Sequence, residues 1–180
     1  LLTEALRGFI GERPHLRLEV ESGLSNPLLH LYRNGELDML LVKQWGADRD
    51  AHARWAEPLS WVCSTRGLVA DEPLPLVVFP VGALYRQEMI HALESSGRPW
   101  RISYSASSLA SLGAAVSAGL GVSLVPARSV LEGHRVLGRE DGFAPVEGLE
   151  LALYAKAGLD ADGLALRDLL QQLGDGRARA

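Results

Sequence analysis

Two adjacent hydroxyl groups are the side chains of this sequence best placed to bind a ligand. Ser107 and Ser108 stand directly before an apolar run with helical spacing. A helix N-terminus presents backbone N–H groups without intrahelical partners and a partial positive charge, so polar and anionic groups bind there. Serine is also a good N-cap, and a cap role would explain both residues without any ligand. The residues themselves leave these two roles open.

Other candidates lie where predicted strands give way to helices or loops. Backbone N–H groups in the turn before a helix predicted over 84–95 offer donors to a ligand, and a plain turn explains the same residues, so the residues themselves leave both roles open. Lys43 follows an apolar strand and would attract an anion, although most lysines are solvated surface groups. Besides the two serines, the predicted ligand-binding residues are Ser22, Leu24, Ser25, Lys43, Gln44, Pro80, Val81, Gly82 and Ala83.

Catalytic and metal-binding chemistry is not indicated. The five histidines are dispersed along the chain and show no zinc-ligand spacing. Cys63 lies in an apolar strand pattern beside Trp61, which favours a small buried side chain over a nucleophile. Glu36 and Asp38 are two residues apart, so they do not share a helical face. The sequence therefore predicts no catalytic residue, no metal site and no cofactor.

The elements that position the candidate residues alternate between helices and strands. An apolar stripe predicts a helix over 2–10, and alternation of apolar and charged residues predicts a strand over 16–20. Ser25 or Asn26 is predicted to cap the next helix, with Pro27 at its first position. Further strands are predicted at 39–42, 58–64, 76–79, 101–105, 122–125, around Val136 and at 149–155, and further helices at 84–95, 109–120 and 164–173. This recurrence predicts an α/β fold with parallel strand pairing.

Composition narrows the class of protein. A chain of 180 residues can bury a sizeable core, as one domain or two small ones. The formal net charge of −4 argues against this chain holding DNA by itself, because phosphate binding needs a clustered positive face. A single cysteine excludes an internal disulfide framework and favours a reducing, cytoplasmic environment. We therefore expect a globular protein of the cytoplasm.

Three motifs in the right order resemble the effector-binding domain of LysR-type transcriptional regulators. They are RNGELDMLLV at 33–42, LPLVVFPVG at 74–82 and AGLGVSLVP at 118–126, and the resemblance runs from residue 1 to about 173. Each motif alone is weak, since apolar strands and glycine corners are common. The stretches DEPLPLVVFPVGALYRQ and RPWRISYSASSLASL are most similar to the LrhA/HexA-like branch of the family.

The resemblance implies a two-lobed α/β fold, of the type-2 periplasmic-binding-protein-like kind, with a hinge between the lobes. The first lobe would comprise residues 1–57 and 145–180, and the second residues 58–144. Closure around a ligand is the motion expected of such a hinge. Family members open this domain with a strand and carry a DNA-binding helix-turn-helix before it. This sequence starts at the helix that follows that strand, so both are expected to be absent from the chain.

The function implied by the resemblance is that of a small-molecule-sensing regulatory domain. It would bind an effector in the inter-lobe cleft, modulate DNA binding and transcription, and catalyse no reaction. The expected partners are a small-molecule effector and a second copy in a homodimer, with a tetramer for the full-length protein. DNA would be bound only through the missing N-terminal domain, and no membrane is expected. A solute-binding protein of a transporter and an enzyme on the same fold are the alternatives. A helix-turn-helix encoded upstream would support the regulator over the transporter protein, and a leader peptide would support the reverse. The absence of an acid–base or nucleophile constellation counts against the enzyme.

Overall fold

The computed structural model describes residues 2–46, 50–67 and 72–178, which form two compact units. The first unit comprises Leu1–Ala56 and Leu149–Ala180, and the second comprises Glu57–Gly148. The helices are α1 (Leu2–Gly11), α2 (Ser25–Arg33), α3 (Leu84–Ser95), α4 (Leu109–Ser117) and α5 (Ala161–Ala178). The strands are β1 (Met39–Trp45), β2 (Ala53–Ala56), β3 (Leu59–Ser64), β4 (Leu74–Val78), β5 (Trp100–Ser105), β6 (Ser123–Pro126), β7 (His134–Leu137) and β8 (Leu149–Ala155).

The first unit is built on a sheet whose middle strand comes from the far end of the sequence. β8 lies between β1 and β2 and pairs antiparallel with both. Successive side chains of β8 point to opposite faces, as in any strand. Tyr154 packs on one face with Leu28 of α2, and Leu153 packs on the other with Trp55 and Leu170 of α5. Both faces of this sheet are therefore covered by helices.

The second unit combines antiparallel and parallel pairing. β3 lies between β6 and β7, antiparallel to both, and β4 pairs parallel with β5. A single parallel bridge between Leu76 and Val122 connects the two sheets. Met89 of α3 packs on one face of these strands and Leu112 of α4 on the other, because neighbouring residues such as Trp61 and Val62 point in opposite directions.

One edge of the second unit collects several loops. β4, β5 and β6 run in the same direction, so their carboxyl ends meet at this edge, which we call the carboxyl edge. Antiparallel β3 begins there, since Leu59 lies opposite Pro126. The segments that lie at the carboxyl edge are Glu57–Pro58, Phe79–Ala83, Ala106–Ser108 and Ala127–Ser129.

The predicted parallel pairing is confirmed for β4 with β5 and is wrong for the other strand pairs. Among the described residues, β4 with β5 and the bridge at Leu76 are parallel, and the other ladders are antiparallel. The prediction assumed that strands on either side of a helix pair with each other. In the structure β1 pairs with β8, a strand that the sequence reaches only after the whole second unit.

The strand predicted over 16–20 is also wrong. Residues 16–24 form no strand, and the backbone N–H of Leu16 instead closes a turn onto the carbonyl of Arg13. A strand needs a neighbouring ladder for its backbone groups, and none runs beside this segment in the described chain. The alternating pattern is present, but Val20 is left exposed. Amphipathic alternation alone does not make a strand.

The predicted N-terminus of α2 needs correction as well. The helix begins at Ser25, and Leu24 occupies the N-cap position without any side-chain cap. Pro27 is thus the third helical residue, where its missing N–H is still one of those without an intrahelical partner. By contrast, the helix predicted over 84–95 is confirmed as α3, and the strand predicted at 149–155 is confirmed as β8.

Candidate functional site

The turn between β4 and α3 is the first candidate segment of the second unit. Val81 is exposed, Gly82 has a positive φ of 90°, and Ala83 is buried at the N-cap position. The N–H of Ala83 donates to the carbonyl of Pro80 at 3.2 Å, which closes the turn. Alanine has no side-chain acceptor, so no side-chain cap covers the first N–H groups of α3. The first N–H groups of α3 therefore lie at the carboxyl edge without an acceptor from the N-cap side chain.

The two serines have different environments in the structure. Ser108 is the N-cap of α4, and its Oγ accepts a hydrogen bond from the backbone N–H of Ser111 at 3.2 Å. Ser107 is exposed and makes no such contact within the described chain. The N–H of Ala106 donates to the carbonyl of Val78 at 2.9 Å, which places the serines beside the turn after β4. The two predicted segments of the second unit thus lie together.

A buried carboxylate organises the same edge. Glu57 is the first residue of the second unit, and only 4% of its side chain is exposed. Its Oε1 accepts a hydrogen bond from the Tyr85 hydroxyl at 3.0 Å and forms an ion pair with Arg128 Nη1. A buried carboxylate requires such partners, since an unpaired charge is costly away from water. We call Glu57, Tyr85 and Arg128 the Glu57 cluster.

In the first unit, one candidate residue carries a buried polar atom without a partner. Gln44 lies on β1 opposite Glu150 of β8. Its Oε1 accepts a hydrogen bond from the Tyr154 hydroxyl at 2.6 Å, while its Nε2 is buried and has no hydrogen-bond partner. Oε2 of Glu150 is likewise buried without a hydrogen bond, and Arg54 Nη1 lies 3.9 Å from it. A donor and an acceptor on facing strands are thus both unsatisfied, which is unusual for buried polar groups.

The side chains of Lys43 and Gln44 lie on opposite faces of the sheet. Gln44 shares its face with Val42, the face that α2 covers, whereas Lys43 shares its face with Leu41 and points toward α5. Ser22, Leu24 and Ser25 lead into α2, so they belong to the side of Gln44. The helix that this loop leads into therefore covers the face of Gln44, and Lys43 lies on the opposite face.

The clearest shifts in side-chain acidity lie away from these candidates. Asp141 accepts a hydrogen bond from the backbone N–H of Gly138 at 3.1 Å, and this bond holds the pKa of its carboxyl below the ordinary value. Arg135 donates to Asp141 at 3.0 Å, which raises the pKa of the guanidinium and lowers that of the carboxyl further. Burial raises the pKa of Tyr32. None of these groups is a predicted site residue.

Two further searches of the described residues bear on the kind of site. No group of three or more His, Cys, Asp and Glu side chains is arranged to hold a metal ion in residues 2–46, 50–67 and 72–178. No helix in that part of the chain is long and apolar enough to cross a membrane.

The sequence did not predict the residues that surround the two groups of buried polar side chains, the Glu57 cluster and the pair formed by Gln44 and Glu150. Glu57, Arg128 and Glu150 carry no local motif, and each contact joins residues far apart in the sequence. One usable signal existed for Arg128: it lies two residues beyond the strand ending at Pro126, which is where carboxyl-edge groups are found in α/β sheets.

The family of the chain is shown by comparison with known proteins. The LysR substrate binding domain family matches residues 1–177, so the chain belongs to that family. The regulator PecT of Dickeya dadantii (strain 3937), an HTH-type transcriptional regulator, is 30% identical over 131 residues. That match covers 72% of this chain and 42% of PecT, so the matched region spans less than half the length of this relative.

Solved structures of regulatory domains share the fold at low sequence identity. The bromide-bound regulatory domain of HypT from Salmonella typhimurium has a TM-score of 0.71 at 14% identity, over 97% of this chain and 91% of that one. The CcmR regulatory domain from Synechocystis PCC6803, in complex with 2-PG, has a TM-score of 0.66 at 15% identity, over 96% and 90%. The effector-binding domain of QuiR, in complex with shikimate, has a TM-score of 0.66 at 12% identity, over 97% and 90%. The fold is therefore the type-2 periplasmic-binding-protein-like fold of LysR regulatory domains.

Proposed function

We propose that this chain senses a small-molecule effector and thereby controls the DNA binding of a LysR-type transcriptional regulator in the cytoplasm. The observation that carries the proposal is the family match over residues 1–177. Effector binding need involve no covalent chemistry, so the chain is proposed not to be an enzyme. An effector that binds two conformations with different affinity shifts the balance between them.

The structure supports particular contacts for the effector within each unit. In the second unit these are Pro80, Val81, Gly82 and Ala83 together with Ser107, whose hydroxyl is not used in capping. In the first unit the strongest support falls on Gln44, because its buried Nε2 lacks a partner. A ligand oxygen that accepts a hydrogen bond there would relieve an unsatisfied buried donor. Ser22, Leu24 and Ser25 remain proposed contacts on the same side, and Lys43 remains one on the opposite face.

The partners proposed for the longer protein follow from the family. We propose a homodimer of this domain, with a tetramer in the full-length regulator. Leu2 and Ile10 leave apolar area exposed on α1, which supports a partner for this helix. DNA binding is proposed to reside in a segment other than this chain, whose net charge is −4.

A thermal-shift screen of metabolites on the chain, followed by calorimetry, tests effector binding. A true effector should raise the unfolding temperature in proportion to its affinity and concentration. Gln44→Met keeps the size of the side chain but removes the amide, so it should weaken the hit about tenfold or more. In the longer regulator the same compound should change operator affinity in a mobility shift. Binding to the chain without any effect on the DNA complex would contradict the regulatory role.

Sedimentation of the chain at micromolar concentration tests the homodimer. A dimer is expected, because family-type association uses the same patch twice. Purely monomeric behaviour across that range would contradict this part of the proposal.

A further inference from the structure

The Glu57 cluster contains a guanidinium that is both held in place and open to solvent. Arg128 Nη1 is paired with a carboxylate that is only 4% exposed, yet 42% of the Arg128 side chain remains exposed. Arginine presents five N–H donors in a rigid fork, and one Nη1 contact leaves most of them for other acceptors. The ion pair therefore fixes the orientation of the guanidinium and leaves its other N–H donors for a further acceptor.

The position of Arg128 is what separates it from other paired arginines. It follows β6 in a short 3₁₀ turn, Ala127–Ser129, at the carboxyl edge. The segments that carry the proposed effector contacts of the second unit, Phe79–Ala83 and Ala106–Ser108, extend from the same edge. Ligands of open α/β sheets bind beyond the carboxyl ends of the strands. An oriented cation is thus placed where this fold binds small molecules.

Neighbouring contacts make the edge rigid. The hydroxyl of Tyr85, in the first turn of α3, bonds Glu57, and the Tyr85 ring packs against Phe79 with centroids 5.8 Å apart. Arg86 Nη1 donates to the carbonyl of Phe79 at 3.1 Å. The turn that follows β4 is therefore tied to the carboxylate that orients Arg128. A preorganised donor loses less freedom on binding than a flexible one.

We infer that Arg128 binds an oxyanion of the effector, a carboxylate or a phosphate group, with Glu57 and Tyr85 as the residues that position it. Charge-assisted, paired hydrogen bonds are the contacts that a guanidinium makes with both groups. The inference deepens the proposed function, since it names the chemical class of the ligand at the same edge.

Titration of the intact chain with two simple anions tests the inference. Inorganic phosphate and acetate are added at low ionic strength and pH 7, and binding is read from the Nε–H signal of Arg128 and from the amides of residues 79–86. At least one anion should shift these signals saturably. Phosphate binding alone would indicate a phosphate ligand, and acetate binding a carboxylate. If neither anion moves these signals, the inference is wrong.

Arg135→Gln is the matched control for Arg128→Gln. Arg135 is also ion-paired with a carboxylate and is 43% exposed, but it lies on β7 beside the opposite end of β3. Arg128→Gln should weaken anion binding about tenfold or more, and Arg135→Gln should leave it within about twofold. Equal losses in both variants would indicate general charge attraction and overturn the inference.

A second variant separates binding from folding. The single variant Arg128→Gln leaves the buried Glu57 carboxylate without its cation, which can destabilise the fold. The double variant Glu57→Gln/Arg128→Gln leaves no unpaired charge at this position, and it is measured alongside the single variant. The double variant should unfold at a temperature close to wild type and still fail to bind the anion. Retained anion binding in the folded double variant would show that Arg128 only neutralises Glu57. Because these readouts need no DNA, their failure is distinguishable from failure of the proposed regulatory function.

Discussion

The two units differ in how completely they bury and satisfy their own groups. Among the largest fully buried side chains of the described residues, Leu153 lies in the first unit and all the others lie in the second. In the second unit the buried carboxylate of Glu57 accepts a hydrogen bond from Tyr85 and pairs with Arg128, whereas Gln44 and Glu150 of the first unit each leave a buried atom without a hydrogen bond. The second unit thus has the larger share of fully buried side chains, and the first unit holds a buried donor and a buried acceptor without hydrogen bonds.

The largest effect expected from this difference is a core truncation in the second unit. Leu112→Ala on α4 removes a side chain with no exposed area and should cost about 3 kcal/mol of the free energy of unfolding. Leu109→Ala on the same helix is the control, because Leu109 is 38% exposed and should lose less than about 1 kcal/mol. Urea unfolding measures both. Equal losses would contradict the burial of α4 described above.

Tight packing in the first unit can be tested on α5. A Cβ at Gly174 would overlap the Trp55 ring, whereas a Cβ at Gly176 would meet nothing within 4 Å. Gly174→Ala should therefore destabilise the chain by about 2 kcal/mol through overpacking. Gly176→Ala should stabilise it by about 0.5 kcal/mol, since alanine is the better helix former. Relative to wild type, the unfolding temperature should fall for Gly174→Ala and rise for Gly176→Ala. A change in the same direction for both variants would contradict the packing of α5 against Trp55.

The two serines at the start of α4 give a smaller contrast. Ser108→Ala removes the acceptor for the Ser111 N–H and should cost about 1 kcal/mol. Ser107→Ala removes an exposed hydroxyl outside the helix and should leave stability within about 0.5 kcal/mol. For an effector found in the screen, we expect the larger loss of affinity with Ser107→Ala. The reverse order would show that the capping hydroxyl also binds the ligand.

Asp141 gives the smallest effect, one of acid stability. Its pKa is lower in the folded chain because the Gly138 N–H bonds the charged form. A lowered carboxyl pKa contributes stability above the unfolded pKa of about 3.9, and that contribution is lost as pH falls through the folded value. Wild type should therefore be more stable than Asp141→Asn at pH 7, with the difference shrinking below about pH 4. A difference independent of pH would rule out this linkage.

Local features of the sequence predicted local structure well. The bounds of α3 follow from apolar spacing and from Gly97 just beyond the helix, where a positive φ of 68° is needed. The Ser108 cap and the strand β8 were likewise readable from short patterns. These features depend on a few neighbouring residues, so no knowledge of the rest of the chain was required.

Contacts between residues far apart in the chain could not be predicted from the sequence, and the reason is physical. The pairing of β1 with β8 and the bond from Tyr154 to Gln44, 110 positions apart, depend on which surfaces meet after collapse. Glu57 and Arg128, 71 positions apart, belong to the same case. The strand expected over 16–20 failed because a strand depends on its neighbours, not only on its own alternation. Partners that define a site are therefore harder to predict than the loops that carry it.

The position of β8 in the sequence also determines the order in which the parts of this chain can fold during synthesis on the ribosome. β1 and β2 emerge early, but the strand that lies between them, Leu149–Ala155, is synthesised only after the entire second unit. The second unit is continuous in sequence and can fold as soon as it is released, as domains generally do during synthesis. Until β8 has been synthesised, β1 and β2 lack the strand that pairs with both, and their edges can pair with the wrong strands. Translation pausing near residue 148 should therefore prolong the aggregation-prone interval of nascent chains.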